Sequence, residues 1–267
     1  MATLAATHLL DLPRDVRLTL TATKLVALLA GLAVCAALAL WLSRLPMFAL
    51  RGILVEGDVA RNSVSTIRAN AAPKLTGNFF SLDLQRARSA FESVPWVRHA
   101  VVQRVWPDRL AVRLEEHKAA ALWATEVGND KLVNSYGEIF EANPGDVEDE
   151  SLPRLAGPDP SAARMLSLLR QLSPVLVKLD AGDIEQLRLS GRGSWRAELE
   201  GGAAIELGRG SDQDIMARTE RFVRTLTQVT GQYQRPLEFA DLRHTDGYAV
   251  RLKGVTTQVP VTPSRKR

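Results

Sequence analysis

Hydrophobic and polar positions along the chain follow three successive patterns. The first pattern, at residues 25–42 (LVALLAGLAVCAALALWL), is apolar all round, with no charge and no proline. As a helix it would extend about 27 Å, close to the thickness of a bilayer's hydrocarbon. A buried core helix of that length normally carries one polar side. Trp41 lies near one end, and Arg44 follows where it can snorkel. The reading is a transmembrane helix after a short cytoplasmic stub at residues 1–24. A cleavable signal would have a shorter apolar run and a small-residue cleavage site. Cys35 follows Val34 in mid-run, which does not suit a lipoprotein signal. Flanking basic residues are nearly balanced (Arg14, Arg17 and Lys24 before; Arg44, Arg51 and Arg61 after). The short stub makes an inside N-terminus and an outside C-terminal part the expected orientation.

The second pattern alternates strand and helix periods. Residues 50–55 read as a strand closed by Gly57-Asp58, and Ser63 as the cap of a helix through Ile67. Ser81 is expected to cap a second helix, with Leu84, Ala87 and Phe91 on one face. Residues 94–116 (VPWVRHAVVQRVWPDRLAVRLEE) hold two period-two runs around Pro107-Asp108. In the first run Val97, Val101 and Val105 alternate imperfectly with Arg98 and Arg104; in the second Leu110, Val112 and Leu114 face one way and Arg113 and Glu115 the other, so each run is expected to bury one face. A Pro-Asp break between alternating runs predicts a hairpin. The order is strand, helix, helix, strand, strand, enough chain to bury one sheet face under two helices.

The third pattern is richer in strands. Short strands are expected at residues 119–123, 131–134 and 138–140, then a proline-rich acidic loop at 143–160 and a helix at 161–179 broken near Pro174. Strands at 184–189, 195–199 and 203–207 precede a helix at 214–233, and strands at 239–242 and 248–252 close the fold. Residues 254–267, polar with two prolines, read as a disordered tail.

Composition narrows the function. Apolar residues make up 46% and charged residues 24%, an ordinary globular balance. The net charge of +4 is spread thinly, and the only basic run in the body or tail is Arg265-Lys266-Arg267. Nucleic-acid binding needs a concentrated basic face, so it is disfavoured. The single cysteine excludes an internal disulfide, and the four histidines (His8, His99, His117, His244) show no metal-ligand spacing.

Candidate chemistry is sparse. No G-x-S-x-G, H-E-x-x-H or Walker loop occurs. Gly191-Arg192-Gly193-Ser194 leads into a strand; Gly208-Arg209-Gly210-Ser211 precedes a helix and reads as a turn more readily than as an anion cradle. Asp146, Glu148, Asp149 and Glu150 form a solvated acidic loop. His99 and His117 lack a sequence-fixed catalytic partner, and Trp96, Trp106, Trp123 and Trp195 read as packing. No catalytic residue, cofactor site or metal site is expected. A sheet edge offered to a partner strand fits better, and residues 248–252 form the candidate edge.

Several short pieces carry a resemblance. They are Ile53-Leu54-Val55-Glu56-Gly57, Pro95-Trp96-Val97, Val102-Gln103-Arg104-Val105-Trp106-Pro107, Trp123, Leu132-Val133-Asn134 with Gly137 and Phe140, Leu152-Pro153 with Gly157-Pro158, Trp195 and Asp241-Leu242-Arg243. In this order the chain resembles the bacterial cell division protein FtsQ (DivIB) family. The resemblance implies an α+β chain: a single transmembrane helix (25–42), a POTRA domain of β-α-α-β-β order (50–117) and a β domain (118–253) with helices packed on a mostly antiparallel sheet. It implies a non-enzymatic scaffold of the divisome in the cell inner membrane, with its C-terminal part periplasmic. FtsB and FtsL homologues and other divisome membrane proteins are the implied partners, with no nucleic acid or small-molecule substrate. Carried over by position, the FtsB-type contacts would fall on Arg192, Arg243, His244, Asp246, Gly247 and Leu252; Tyr248 and Val250 join them as residues of the candidate edge strand.

The chain departs from the family pattern at His244, where tyrosine is frequent, at Ala119, where proline is frequent, and at Leu252, where an aromatic is frequent. An imidazole at position 244 carries the expectation of pH-sensitive partner binding. The competing readings are a POTRA-containing factor for polypeptide transport or outer-membrane assembly, and a membrane-tethered cell-wall enzyme. The first calls for tandem POTRA units and a barrel; the second calls for a catalytic constellation.

Overall fold

The computed structural model describes residues 14–125, 128, 130–233, 235–244 and 247–255. Most of the expected stub, nearly all of the expected tail, and Asp246 lie outside the described residues. The chain divides into two units, Met1–Glu115 and Glu116–Arg267.

The first unit begins with helix α1 (Arg14–Ser43), of which Leu18–Ser43 is apolar enough to cross a membrane and has no buried share. Hydroxyls at its polar start turn inward, as where Thr23 Oγ1 donates to the Thr19 carbonyl at 2.8 Å. Strand β1 (Gly52–Asp58), helices α2 (Val64–Ala71) and α3 (Leu84–Glu92), and strands β2 (Val97–Val105) and β3 (Arg109–Glu116) follow. The sheet order is β1-β3-β2, with β1 parallel to β3 from Gly52 opposite Arg109 to Asp58 opposite Glu115. Ser63 caps α2, its hydroxyl accepting from Thr66 N–H at 3.1 Å. Ile67, Ala87 and Phe91 come down on Val97, Ala100, Leu110, Val112 and Leu114 to form the core. Each large apolar side chain buried there contributes about 1.5–3 kcal/mol relative to exposure.

Three expectations for this unit are corrected. Asp83, not Ser81, caps α3, accepting from Gln85 N–H at 2.9 Å and Arg86 N–H at 3.3 Å. Ser81 Oγ instead accepts from Asn78 N–H in the preceding loop. In β2 only Val97 and Ala100 are buried, while Val101 and Val105 face solvent at 41% and 36% exposure. A strand at the sheet's end needs apolar residues only where a helix covers it, so its alternation lapses. Trp106 is not core: it is 75% exposed in the turn between β2 and β3.

The second unit is a nine-stranded sheet in the order β12-β11-β10-β9-β8-β7-β4-β5-β6. Its strands are β4 (Ala119–Trp123), β5 (Lys131–Asn134), β6 (Ile139–Phe140), β7 (Arg154–Ala156), β8 (Ile184–Leu189), β9 (Trp195–Leu199), β10 (Ala204–Gly208), β11 (Leu237–Asp241) and β12 (Ala249–Leu252). Helix α4 (Ala162–Leu176) joins β7 to its parallel neighbour β8, and α5 (Asp212–Tyr233) joins β10 to its parallel neighbour β11. The antiparallel pairs β4–β5, β5–β6, β8–β9, β9–β10 and β11–β12 outnumber the three parallel ones among the described residues. Leu168, Leu172 and Leu176 of α4 and Phe222 of α5 pack with Leu187, Trp195, Ala197 and Ile205 of the sheet. Alternation puts Arg196 on the opposite face, paired with Glu198 at 3.0 Å and Glu206 at 3.2 Å.

Two local readings change here. Helix α4 runs through Pro174 and passes into a 3-10 turn at Val177–Leu179. Within the acidic loop lie a 3-10 helix, Pro144–Glu150, and the short strand β7. Asn134, fully buried, organises the turn after β5. Its Oδ1 accepts from the N–H groups of Tyr136 and Glu138 at 2.9 Å, and its amide lies 2.9 Å from His117 Nδ1. His117 stacks on Phe140 at 4.0 Å.

Candidate functional site at the sheet edge

Strand β12 terminates the large sheet, pairing on one side with β11. Among the described residues, its other side has no strand partner. Phe239, Ala240 and Asp241 stand opposite Arg251, Val250 and Ala249. Beyond the register shift, Leu237 stands opposite Leu252, and Lys253 N–H donates to the Pro236 carbonyl at 2.9 Å to close that end. Four residues give an edge of about 13 Å.

Asp241 secures the connection between these strands. It is 9% exposed, and its Oδ1 accepts from Arg243 N–H at 3.0 Å and Arg243 Nε at 2.8 Å. Its Oδ2 accepts from Arg243 Nη2 at 2.6 Å. The side-chain hydrogen bonds of Arg243 are the largest influence on the carboxyl; they outweigh burial and hold its pKa at about 2. Leu242 N–H donates to the Glu206 carbonyl at 2.9 Å, tying the start of the connection to β10.

The expected contact residues separate into groups. Arg243, His244, Gly247, Tyr248, Val250 and Leu252 all lie on or beside the β11–β12 connection. Ala249, Val250 and Arg251 are exposed, whereas Leu252 is buried in the core, so what position 252 offers a partner is main chain. Tyr248 is also committed inward, its hydroxyl 2.6 Å from Thr225 Oγ1 and its ring edge-on to Phe222 at 4.9 Å. Arg192 occupies the turn between β8 and β9. By register this is the same end of the sheet as Asp241, but β9 and β10 intervene. A residue that sequence reading did not single out is Arg251, paired with Glu238 at 3.2 Å. The Asp-Leu-Arg spacing held a usable signal, because residues i and i+2 of an extended chain share a face.

The other candidates are structural. Asp214 closes the glycine turn before α5, its Oδ2 accepting from Ser211 N–H at 2.9 Å and Ser211 Oγ at 2.7 Å. Those bonds hold its pKa below the usual carboxylate value and place a carboxylate where an anion would have to bind. His99 of β2 lies 3.1 Å from Arg88 Nη2 and 3.2 Å from Glu92 Oε1, which themselves pair along α3.

A long apolar helix, a β-α-α-β-β unit and an open sheet whose last strand is paired on one side only among the described residues define a POTRA-containing protein with a single N-terminal helix, consistent with a single-pass membrane anchor. The profile of the POTRA domain, FtsQ-type, matches residues 48–117, and that of Cell division protein FtsQ/DivIB, C-terminal, matches residues 121–243. The chain is 42% identical over 240 residues to Cell division protein FtsQ of Burkholderia pseudomallei, covering 90% of this chain and 93% of that one. With the protein of the same name from Thiomonas arsenitoxydans it shares 34% identity, covering 92% and 90%. The Bordetella pertussis protein of that name is 36% identical, covering 85% and 88%. The chain belongs to the FtsQ/DivIB family of non-enzymatic cell division proteins.

Proposed function

We propose that this chain is a divisome scaffold of the cell inner membrane, with a cytoplasmic N-terminus and periplasmic folded units, that captures a partner strand along β12. The partner is an FtsB homologue, accompanied by an FtsL homologue, and the assembly links early cytoplasmic with late periplasmic division proteins. The observation that supports this reading is the outer side of β12, which has no strand partner among the described residues and carries the exposed Ala249, Val250 and Arg251. Strand addition takes its affinity from main-chain hydrogen bonds and its specificity from alternate side chains.

Proline scanning tests it. Successive N–H groups of a strand point to opposite sides, so Ala249→Pro and Val250→Pro remove donors from different edges. The variant that loses the outward donor keeps the parent's circular dichroism and loses capture of the partner. If both variants keep capture, strand addition at β12 is refuted. Photo-crosslinking from position 250 in membranes identifies the partner; position 248 is unsuitable because Tyr248 packs inward.

A further inference from the structure

The base of α1 is bonded into the first folded unit. Asn78 Nδ2 donates to the Ser43 carbonyl at 2.7 Å, and Phe79 N–H donates to the Phe48 carbonyl at 2.9 Å. Arg51 N–H donates to the Asp108 carbonyl at 2.9 Å, and Arg104 Nη2 donates to the Leu82 carbonyl at 2.6 Å. Three separate stretches, 43–51, 77–82 and 104–109, are therefore gathered where the apolar helix ends. Met47, Phe80 and Trp106 stand 60%, 52% and 75% exposed on these same stretches. Phe80 is held by edge contacts to Phe48 at 4.9 Å and Phe79 at 5.3 Å. Beside them an open groove of about 790 Å³ is lined by Arg51 and Arg109. The nearest carboxylate to Arg109 is that of its neighbour Asp108, at 3.9 Å.

We infer that this end of the POTRA unit seats on the bilayer surface, with Met47, Phe80 and Trp106 at the headgroup level and Arg51 and Arg109 on anionic phospholipid headgroups. Continuity with α1 identifies the occupant, because a surface bonded to the last residue of the membrane helix meets lipid before it meets any other partner. Aromatic side chains favour this interface, and arginines near the surface are attracted to anionic lipid. The seat fixes the tilt of the POTRA unit and takes large apolar side chains out of water.

The inference rests on α1 being a membrane anchor, so the test reads the two separately. The full chain is placed in nanodiscs of phosphatidylcholine alone or mixed with phosphatidylglycerol, with nitroxide lipids as quenchers. An environment-sensitive dye on native Cys35, which lies within α1, reports insertion of the helix. In a Cys35→Ala background, dyes at Phe80→Cys and Val64→Cys report the proposed seat and the start of α2, away from it. The expected result is quenching at position 80 at least about twofold that at position 64 in anionic discs, reduced by Arg51→Ser with Arg109→Ser or by phosphatidylcholine alone. Quenching of the Cys35 dye with equal quenching at positions 80 and 64 overturns the seat while leaving the anchor intact. Quenching at position 80 that ignores lipid charge overturns the arginine contacts. Absence of quenching at Cys35 overturns the anchor, and the seat with it.

Discussion

Replacing Asp241 by asparagine removes the charge that braces the β11–β12 connection while keeping the shape of the side chain. The carboxyl is lowered from 3.8 to about 2, chiefly by the Arg243 side chain. At about 1.4 kcal/mol per pH unit, the ionised form adds at most about 2.4 kcal/mol to folding stability. The Arg243 side chain is 58% exposed, so solvent screening trims the expected loss to roughly 1–2 kcal/mol. Because the folded pKa is depressed, the contribution is complete above pH 3.8 and disappears as pH falls through about 2. About half of it is gone by pH 3. Urea unfolding of the full chain in mild detergent, followed by hydrogen exchange in peptides from β9 to β11, isolates the second unit. Asp241→Asn is expected to be less stable than the parent at pH 7 and to converge on it as pH falls. A variant within about 0.3 kcal/mol of the parent at pH 7, or a gap unchanged between pH 7 and pH 3, refutes the reasoning.

Other perturbations probe the same framework. Gly137→Ala places a Cβ 2.4 Å from Ala163 Cα at a φ of +85°, and is expected to cost several kcal/mol, about 3 or more, in the melting of the second unit. Asn134→Ala removes the buried acceptor of the part-buried Tyr136 and Glu138 N–H groups, costing about 1–2 kcal/mol, measurable by the same urea titration. Leu187→Ala, fully buried between sheet and helices, should cost about 2–5 kcal/mol. Val250→Thr, on an exposed edge position, should leave stability within about 0.5 kcal/mol.

Elements with a strong period were legible in the sequence, and elements held by tertiary partners were not. Leu110, Val112 and Leu114 are all buried on β3, because a central strand carries a helix-covered face along its whole length. Its hairpin partner β2 is an edge, so Val101 and Val105 satisfied the pattern without being core. Strand β7 escaped notice because three residues carry no measurable period; its identity comes from β4 and β8 on either side. The α3 cap was misplaced by two residues because both Ser81 and Asp83 have capping chemistry, and only the loop around Asn78 decides between them. At the candidate site, the position of the last strand was legible from its place in the order of elements. The inward commitment of Tyr248 and Leu252 was not, because it depends on where α5 lies.

The two ends of the large sheet are unequal. At one end stands β6, a strand of two residues, too short to template another chain, and at the other stands β12 with four. If β12 captures a strand as proposed, the large sheet is monovalent for strand addition: it ends an assembly at that edge instead of propagating one, and each copy of this sheet holds one partner strand.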